Sequence, residues 1–363
     1  MQRIYRLLVP AILLIGVSNQ SGAQLKNGFK NPFDKSIWYK HYTGNIDGHP
    51  IHVNLMLWNN TIDGSFNFVN KSTQAELYTY KKDTVINQEM NIYGFVRNDQ
   101  FTDSGSKSKI IISKEGIQGK WESADGKGHA NISLKEEYPE GTFRFELVIH
   151  RDSFVSEENH SIIYSSYKLP VPGSKWKKED AAWYEKALAD ALDHDGINAY
   201  NLNDYIHKKD SLEIASYKKL IDDGQATQDN FYLTLVAEPW YNGNGIVVIK
   251  ASYYVAIPKG HTRESYYCLD IQNKKVLHLN DIMNVDTTKL EALLENDMKN
   301  YYAPIKPNYT GTFAYVINDM YVSDFGITFL YGNNDFFNTP CFFIPYTKVH
   351  DMLKPEFKKR FRL

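Results

Sequence analysis

Residues 38–134 consist of short segments in which apolar and polar residues alternate, separated by turns rich in glycine, asparagine and aspartate. In residues 51–57, one parity carries Ile51, Val53, Leu55 and Leu57, and the other carries His52, Asn54 and Met56. A side-chain period of two is typical of a half-buried strand. No helical periodicity precedes about residue 175. The pattern therefore predicts an antiparallel β meander or small barrel of roughly eight strands.

A weak repeat supports curvature in this sheet. The segments IDGSF at 62–66 and IQGKW at 117–121 both read apolar, any residue, glycine, any residue, aromatic. A glycine inside a strand marks a bulge or a close approach of neighbouring backbone. Gly64 and Gly119 therefore favour a sheet that bends toward a barrel, with the aromatic residues pointing inward.

The second half of the chain mixes helices with strands. Lys178–Leu192 carries an apolar stripe at spacings of three and four, which is typical of an amphipathic helix. Further helices are predicted at 201–220, at Thr287–Tyr302 and, more briefly, at 347–353, with strands between them. The fold class predicted is α+β: an N-terminal antiparallel β meander or small barrel, then an α+β domain of helices on an antiparallel sheet. The domains expected are an all-β domain at 24–150 and an α+β domain at 151–363.

The first 23 residues have the three-part plan of a secretory signal peptide. Arg3 and Arg6 precede an apolar run at 7–17, and the small residues at 21–23 suit cleavage after Ala23. The run is short for a bilayer span, for which about 20 residues are needed. We expect an exported protein, periplasmic or extracellular, with no stable membrane insertion after cleavage.

Charge and cysteine content restrict the function further. The net charge of −2 argues against a nucleic-acid partner, which would require a basic face. Cys268 and Cys341 are the two cysteines, and both lie in strand-like segments. Export permits a disulfide between them, and two buried free thiols are equally compatible with the pattern.

Residues 254–283 carry the most distinctive motif. A strand leads into the turn KGH at 259–261, and the strand YCLD at 267–270 follows. A lysine-containing turn and LNDIM at 279–283 close the motif. This plan resembles a family of unknown function that forms the C-terminal part of the extracytoplasmic region of RsiV-type anti-sigma factors. The same family also occurs beside peptidoglycan deacetylase domains.

The resemblance covers roughly residues 195–353, and later strands near 326–331 and 344–346 match its closing strands. The chain departs from the family pattern where Pro258 and Lys259 replace tandem glycines and where Lys274 replaces a turn glycine. The resemblance implies an envelope-facing binding or sensing module rather than an enzyme.

The motif supplies the candidate binding residues: Lys259, Gly260, His261, Arg263, Tyr267, Asp270 and Asp281. His261 is also explained as a turn histidine that bonds to local backbone. Asp270 and Asp281 are also explained as residues that cap turns.

Other polar clusters have simpler interpretations. His41, His49 and His52 are expected to be surface histidines, because zinc needs three or four converging ligands. The segment DHDGIN at 193–198 is expected to be a helix C-terminal turn rather than a calcium loop. The basic run at 354–362 is expected to be a solvated tail. No catalytic residue, metal ligand or cofactor is assigned, because no recognisable catalytic motif is present.

Three functions remain open. The first is a non-catalytic binding or sensing module for a cell-envelope partner, either a glycan or an exported protein. It is favoured by the signal peptide, the resemblance and the high tyrosine content. The second is an envelope polysaccharide hydrolase with an Asp/Glu pair, for which Asp270 and Asp281 are the candidates. The third is a carrier of a small apolar ligand inside the N-terminal barrel.

Overall fold

The computed structural model of the chain describes residues 37–58, 61–69, 74–78, 89–96, 106–113, 115–122, 127–155, 162–223, 231–256, 261–302, 320–330 and 341–363. The predicted signal peptide lies outside these residues. Among the described residues, no helix combines the length and the apolar character that crossing a bilayer requires.

The N-terminal strands form a closed barrel with meander topology. Its strands are β1 (Trp38–Ile46), β2 (His49–Trp58), β3 (Thr61–Phe68), β4 (Gln74–Tyr78), β5 (Glu89–Val96), β6 (Ser106–Ile112), β7 (Ile117–Glu122) and β8 (His129–Glu136). Each strand pairs antiparallel with the next, and β1 also pairs with β8. The predicted meander or small barrel is confirmed.

The two repeat glycines lie where neighbouring strands approach closely. A Cβ atom at Gly64 would lie 2.0 Å from the Asn54 carbonyl oxygen, and one at Gly119 would lie 2.3 Å from the Lys109 carbonyl oxygen. Contacts this short exclude any side chain at either position unless the backbone moves. The aromatic residues of the repeat, Phe66 and Trp121, pack against the barrel core as predicted.

A second sheet of six strands has the order β14-β13-β12-β11-β10-β9. The strands are β9 (Phe145–Val155), β10 (Ile162–Pro172), β11 (Phe231–Gly243), β12 (Ile246–Ala256), β13 (His261–Asp270) and β14 (Lys275–Val276). The sheet is antiparallel except for the pair β10 and β11, which is parallel. A parallel pair needs a long crossover, and two helices supply it here. β9 belongs to this sheet, although it spans the predicted domain boundary at residue 150. The division into domains stays a prediction.

The two crossover helices, α1 (Lys178–Leu192) and α2 (Leu202–Asp222), match the predicted periodicity. The buried residues of α1 include Tyr184, Leu188 and Leu192. The turn between the helices is held by the Asp193 carboxylate, which accepts hydrogen bonds from the backbone N–H groups of residues 195, 197 and 198. Gly196 has a φ of +73°, so the predicted glycine turn is confirmed.

The C-terminal part forms a cluster around a small antiparallel sheet, and the core of this C-terminal cluster also includes buried residues of β11, β12 and β13. Its elements are α3 (Leu279–Ile282), α4 (Thr287–Tyr302), β15 (Met320–Val322), β16 (Gly326–Leu330), β17 (Cys341–Pro345), α5 (Tyr346–Val349) and α6 (Pro355–Phe361). Phe357 and Phe361 of α6 stack with ring centroids 4.4 Å apart and are buried in this cluster. The prediction of a solvated C-terminal tail is therefore wrong, because two apolar residues at helical spacing hold the basic run against the core.

The polar face of the first barrel strands is buried as well. Asn54 and Ser65 contact the backbone carbonyl of Trp240 in β11, and the Ser65 hydroxyl donates to that oxygen at 2.8 Å. His41 is fully buried, with its Nδ1 2.9 Å from Oδ1 of Asn54. Burial lowers the pKa of His41 to about 4, although the contact with Asn54 opposes that shift. The prediction of a surface histidine is wrong for His41, because the second sheet covers this face of the barrel.

Cys268 is a buried free thiol whose sulfur lies 3.6 Å from the Met320 carbonyl oxygen. Burial raises its pKa to about 12. Of the two interpretations of the cysteines, the free thiol therefore holds for Cys268, while the side chain of Cys341 lies outside the described residues.

Candidate functional site

The residues predicted from the KGH motif do not form one group. Lys259 and Gly260 lie outside the described residues. His261 begins β13, where its backbone pairs with Val255, and its side chain lies outside the described residues. Arg263 and Tyr267 line a cavity, whereas Asp270 and Asp281 take part in two structural networks described below. A binding role for each of the seven stays a prediction.

The cavity has a volume of about 310 Å³ and lies between α2 and one face of the second sheet. Sheet parity explains which residues line it. Arg263 and Tyr267 are four residues apart on β13, so they project to the same face. Arg263 pairs across the sheet with Tyr253 of β12, which in turn pairs with Leu235 of β11. The cavity floor is thus built from three adjacent strands.

A lysine between two acids forms the helical side of the cavity. Lys209 of α2 is buried, and its Nζ lies 2.6 Å from Oδ2 of Asp195 and 2.5 Å from Oε1 of Glu213. The same ammonium lies 5.0 Å from the centroid of the Tyr253 ring. The Tyr253 hydroxyl donates to Glu213 at 2.8 Å. Because a buried charge must be paired, these contacts neutralise Lys209 within the protein.

His194 and Tyr267 meet at the edge of the cavity. His194 Nε2 lies 3.0 Å from the Tyr267 hydroxyl oxygen. Burial lowers the pKa of His194, and the nearby Arg263 charge lowers it further. The imidazole is therefore neutral at pH 7, and its contact with Tyr267 fixes the phenol ring at the cavity wall.

Arg263 lines the same cavity and, unlike Lys209, has no acidic partner among the described residues. Its Nε is buried and has no hydrogen-bond partner among the residues that the structure describes. Across the described ranges, no carboxylate forms an ion pair with it. Buried guanidinium donors are normally satisfied by hydrogen bonds. An anionic group bound in the cavity would pair with the Arg263 guanidinium through charge-assisted hydrogen bonds.

Asp270 is a structural residue of the C-terminal cluster. It is 2% exposed, and its two oxygens accept hydrogen bonds from Arg360 of α6 at 2.5 and 2.9 Å. Asn273 donates to the same carboxylate. Burial alone would raise the pKa of Asp270, but the Arg360 and Asn273 hydrogen bonds outweigh burial and lower it.

Asp281 caps the short helix α3. Its carboxylate accepts from the backbone N–H of His278 at 2.9 Å and pairs with Lys275. Burial alone would raise the pKa of Asp281, but the hydrogen bond from Lys275 outweighs burial and lowers it. The turn-capping interpretation therefore describes the contacts of both acids.

Sequence patterns did not mark Lys209, Glu213 and Tyr253 as site residues, and they placed Asp195 only in a turn. A Lys–Glu pair four residues apart is usual on an exposed helical face, and nothing in the sequence distinguishes the buried example at 209 and 213. The turn at 193–198 lies between the two helices and brings Asp195 close to the start of α2, but that proximity does not predict a buried Lys209.

The cavity and the fold together define an α+β protein that combines a meander barrel with a helix-covered mixed sheet. No protein-family model matches the sequence, and no curated protein matches it significantly. Two crystal structures of proteins of the DUF3298 family, a family of unknown function, are similar to the chain.

The first of these proteins is from Bacteroides fragilis. It has 17% sequence identity and a TM-score of 0.48, and the match covers 60% of this chain and 97% of that chain. The second is from Pseudomonas aeruginosa, with 14% identity, a TM-score of 0.40, and coverage of 59% of this chain and 96% of that chain.

Proposed function

We propose that the protein is an exported, non-catalytic binding protein whose cavity between α2 and the second sheet takes a small cell-envelope glycan fragment with an anionic group. One observation carries this proposal. Arg263 lines the cavity, and within the described part of the chain its guanidinium has no carboxylate partner and its Nε has no hydrogen-bond partner.

The shape and chemistry of the cavity support a sugar-sized ligand. Its volume of about 310 Å³ is at the lower end of the range for small-molecule sites. Three tyrosines line it, at positions 205, 253 and 267. A tyrosine ring offers an apolar face to a pyranose ring and a hydroxyl group at its tip. Because Asp195 and Glu213 already neutralise Lys209, Arg263 is the cation left for a carboxylate on the ligand.

Binding fits the site better than hydrolysis does. A glycosidase needs one carboxyl group that is protonated at working pH and one that is ionised. Asp270 and Asp281 both have lowered pKa values, so neither supplies the protonated acid. Asp195 and Glu213 share the cavity, but both form ion pairs with Lys209.

The export and the envelope partner in this proposal rest on the sequence. They follow from the predicted signal peptide at 1–23 and from the resemblance to the extracytoplasmic part of RsiV-type anti-sigma factors. In such a setting, a bound wall fragment would report on the state of the envelope, which makes sensing the cellular role we propose for the cavity.

Isothermal titration with N-acetylmuramic acid, a wall sugar that carries a carboxylate, tests the proposal. Neutral N-acetylglucosamine is the ligand control. We expect saturable binding of the acid sugar by the wild-type protein and binding weaker by about 10- to 100-fold in Arg263→Met, because hydrogen bonds to charged groups contribute about 1.5–3 kcal/mol. Arg151→Met is the matched control, since Arg151 is an exposed arginine of the same sheet.

Three results would overturn the proposal. The first is that the wild-type protein does not bind the acid sugar. The second is that Arg263→Met binds the acid sugar as tightly as the wild-type protein, and the third is that the wild-type protein binds the neutral sugar as tightly as the acid sugar. Release of products from a wall polysaccharide would favour the hydrolase, and saturable binding of a fatty acid unaffected by Arg263→Met would favour the barrel carrier.

A further inference from the structure

A second polar cluster lies away from the cavity, where β9 meets α2. His150 and Asp152 are two residues apart on β9 and therefore project to the same face of the sheet. His207 and Asp210 are three residues apart on α2 and therefore share a helical face. The strand face and the helix face meet, because His150 Nε2 lies 3.1 Å from Oδ2 of Asp210.

We propose that His150, Asp152 and Asp210 form a binding site for a divalent transition-metal ion, with Zn²⁺ as the best fit. One ligand atom from each of the three residues lies within 4.8 Å of the others. In a tetrahedral zinc site with bonds of about 2.0–2.1 Å, ligand atoms lie about 3.4 Å apart. The 3.1 Å between His150 Nε2 and Asp210 Oδ2 is close to this ligand-to-ligand distance. Rotation of the exposed Asp152 side chain would bring its carboxylate to the same distance and complete the three protein ligands.

The charge balance of the cluster favours a cation. Within the described ranges, neither Asp152 nor Asp210 forms an ion pair with a lysine or an arginine. Asp210 is largely buried, with 12% of its side chain exposed, and its ion-pair contact is to a histidine. One divalent ion would balance both carboxylates, and the mixed imidazole and carboxylate donors suit Zn²⁺ better than Mg²⁺ or Ca²⁺.

A neighbouring tyrosine orients one of the ligands. The Tyr167 hydroxyl of β10 donates to Oδ1 of Asp210 at 2.8 Å, which leaves Oδ2 directed at His150. Tyr167 pairs with His150 across β9 and β10, so the same sheet register positions both groups. Hydrogen bonds that fix ligating carboxylates in this way are typical of metal sites.

A second histidine lies next to the cluster. The His207 ring lies beside the His150 ring, with centroids 6.1 Å apart and the two planes at 76°. Asp152 is exposed, so the ion would enter from the solvent side. The fourth position would hold either water or His207, and three protein ligands with one open position are typical of zinc sites that are accessible to small ligands.

Calorimetric titration of the full-length protein, purified without a histidine tag, with Zn²⁺ tests the site. We expect one-to-one binding by the wild-type protein and affinity at least about tenfold lower in Asp152→Asn, since even the loss of an outer partner costs 10- to 100-fold. Asp152→Asn changes an exposed residue, so its fold is expected to be intact, and its thermal midpoint without metal provides the check. Asp222→Asn, at an exposed position of α2, is the matched control.

Two further measurements separate a built site from surface binding. Zn²⁺ is expected to raise the thermal midpoint of the wild-type protein and of Asp222→Asn, but not that of Asp152→Asn. Co²⁺ is expected to give the visible absorption of a tetrahedral site in the wild-type protein but not in Asp152→Asn. The proposal is overturned if one-to-one binding does not occur, or if Asp152→Asn and Asp222→Asn bind Zn²⁺ equally. Neither result depends on the arginine in the cavity.

Discussion

The ion pair between Asp270 and Arg360 is expected to be a large contributor to the stability of the C-terminal cluster. Arg360 joins α6 to the end of β13 through two hydrogen bonds to Asp270, and its Nε also donates to the Asn244 carbonyl oxygen. The Asp270 side chain is 3% exposed and that of Arg360 is 17% exposed. A pair this deeply buried contrasts with surface ion pairs, which contribute about 0–1 kcal/mol.

Replacing Arg360 with methionine keeps most of the apolar stem and removes the charge. Breaking a buried pair by removing one partner costs about 3–5 kcal/mol, because the remaining charge stays buried without compensation. Asn273 still donates two hydrogen bonds to Asp270, so the lower end, about 3 kcal/mol, is expected. Lys359→Met is the matched control on the same helix, since Lys359 is exposed, and a change within about 0.5 kcal/mol is expected for it.

Urea unfolding followed by tryptophan fluorescence and circular dichroism measures the effect. The pH dependence gives a second, independent readout. The pKa of Asp270 is lowered in the folded state, so the pair stabilises the fold fully above the unfolded pKa of about 3.9, and this stabilisation is lost as the pH falls through the folded value. The difference in unfolding free energy between the wild-type protein and Arg360→Met should therefore become smaller below about pH 4. Equal unfolding midpoints for Arg360→Met and Lys359→Met, or a difference in unfolding free energy that is unchanged at acid pH, would show that this ion pair does not stabilise the fold.

Two further predictions concern buried titratable groups. Burial lowers the pKa of His41 to about 4, so the neutral form stabilises the fold above about pH 6.5, and roughly 3 kcal/mol is lost as the pH falls from 6.5 to 4. His41→Gln should flatten the dependence of the unfolding free energy on pH, whereas His49→Gln, at an exposed position, should leave it unchanged; equal slopes would contradict the burial of His41. The buried Cys268 thiol, with its pKa raised to about 12, should resist a thiol reagent at pH 8 in the native protein and react after unfolding without reductant. Full reactivity in the native state would show that this thiol is exposed.

The periodicity of apolar residues was sufficient to predict which segments form strands and which form helices. The period of two in residues 50–58 predicted a strand, and the apolar stripe in Lys178–Leu192 predicted a helix with the observed bounds. The repeat glycines predicted the close strand approach at Gly64 and Gly119. These features depend on the backbone and on near neighbours in sequence, so the amino-acid order alone determines them.

Tertiary structure decided the environment of the polar residues. The face of β2 that carries Asn54 has the polarity of a surface, yet β11 covers it and buries His41. The basic C-terminal run has the composition of a tail, yet Phe357 and Phe361 anchor it and bring Arg360 to Asp270. A one-dimensional pattern shows that a side chain can be solvated and does not show which distant surface will cover it.

The candidate sites show the same division. Arg263 and Tyr267 were predicted as site residues because they follow a recognisable turn. Lys209 and Glu213 were not predicted, and they line the same cavity from α2. The metal ligands combine Asp210 of that helix with His150 and Asp152 of a strand about 60 residues earlier. Each residue type and its local spacing were fixed by the sequence, but convergence required the crossover that places α2 over the sheet. Only packing brings groups so distant in the chain within a few ångströms, because contact depends on the path of the backbone in space.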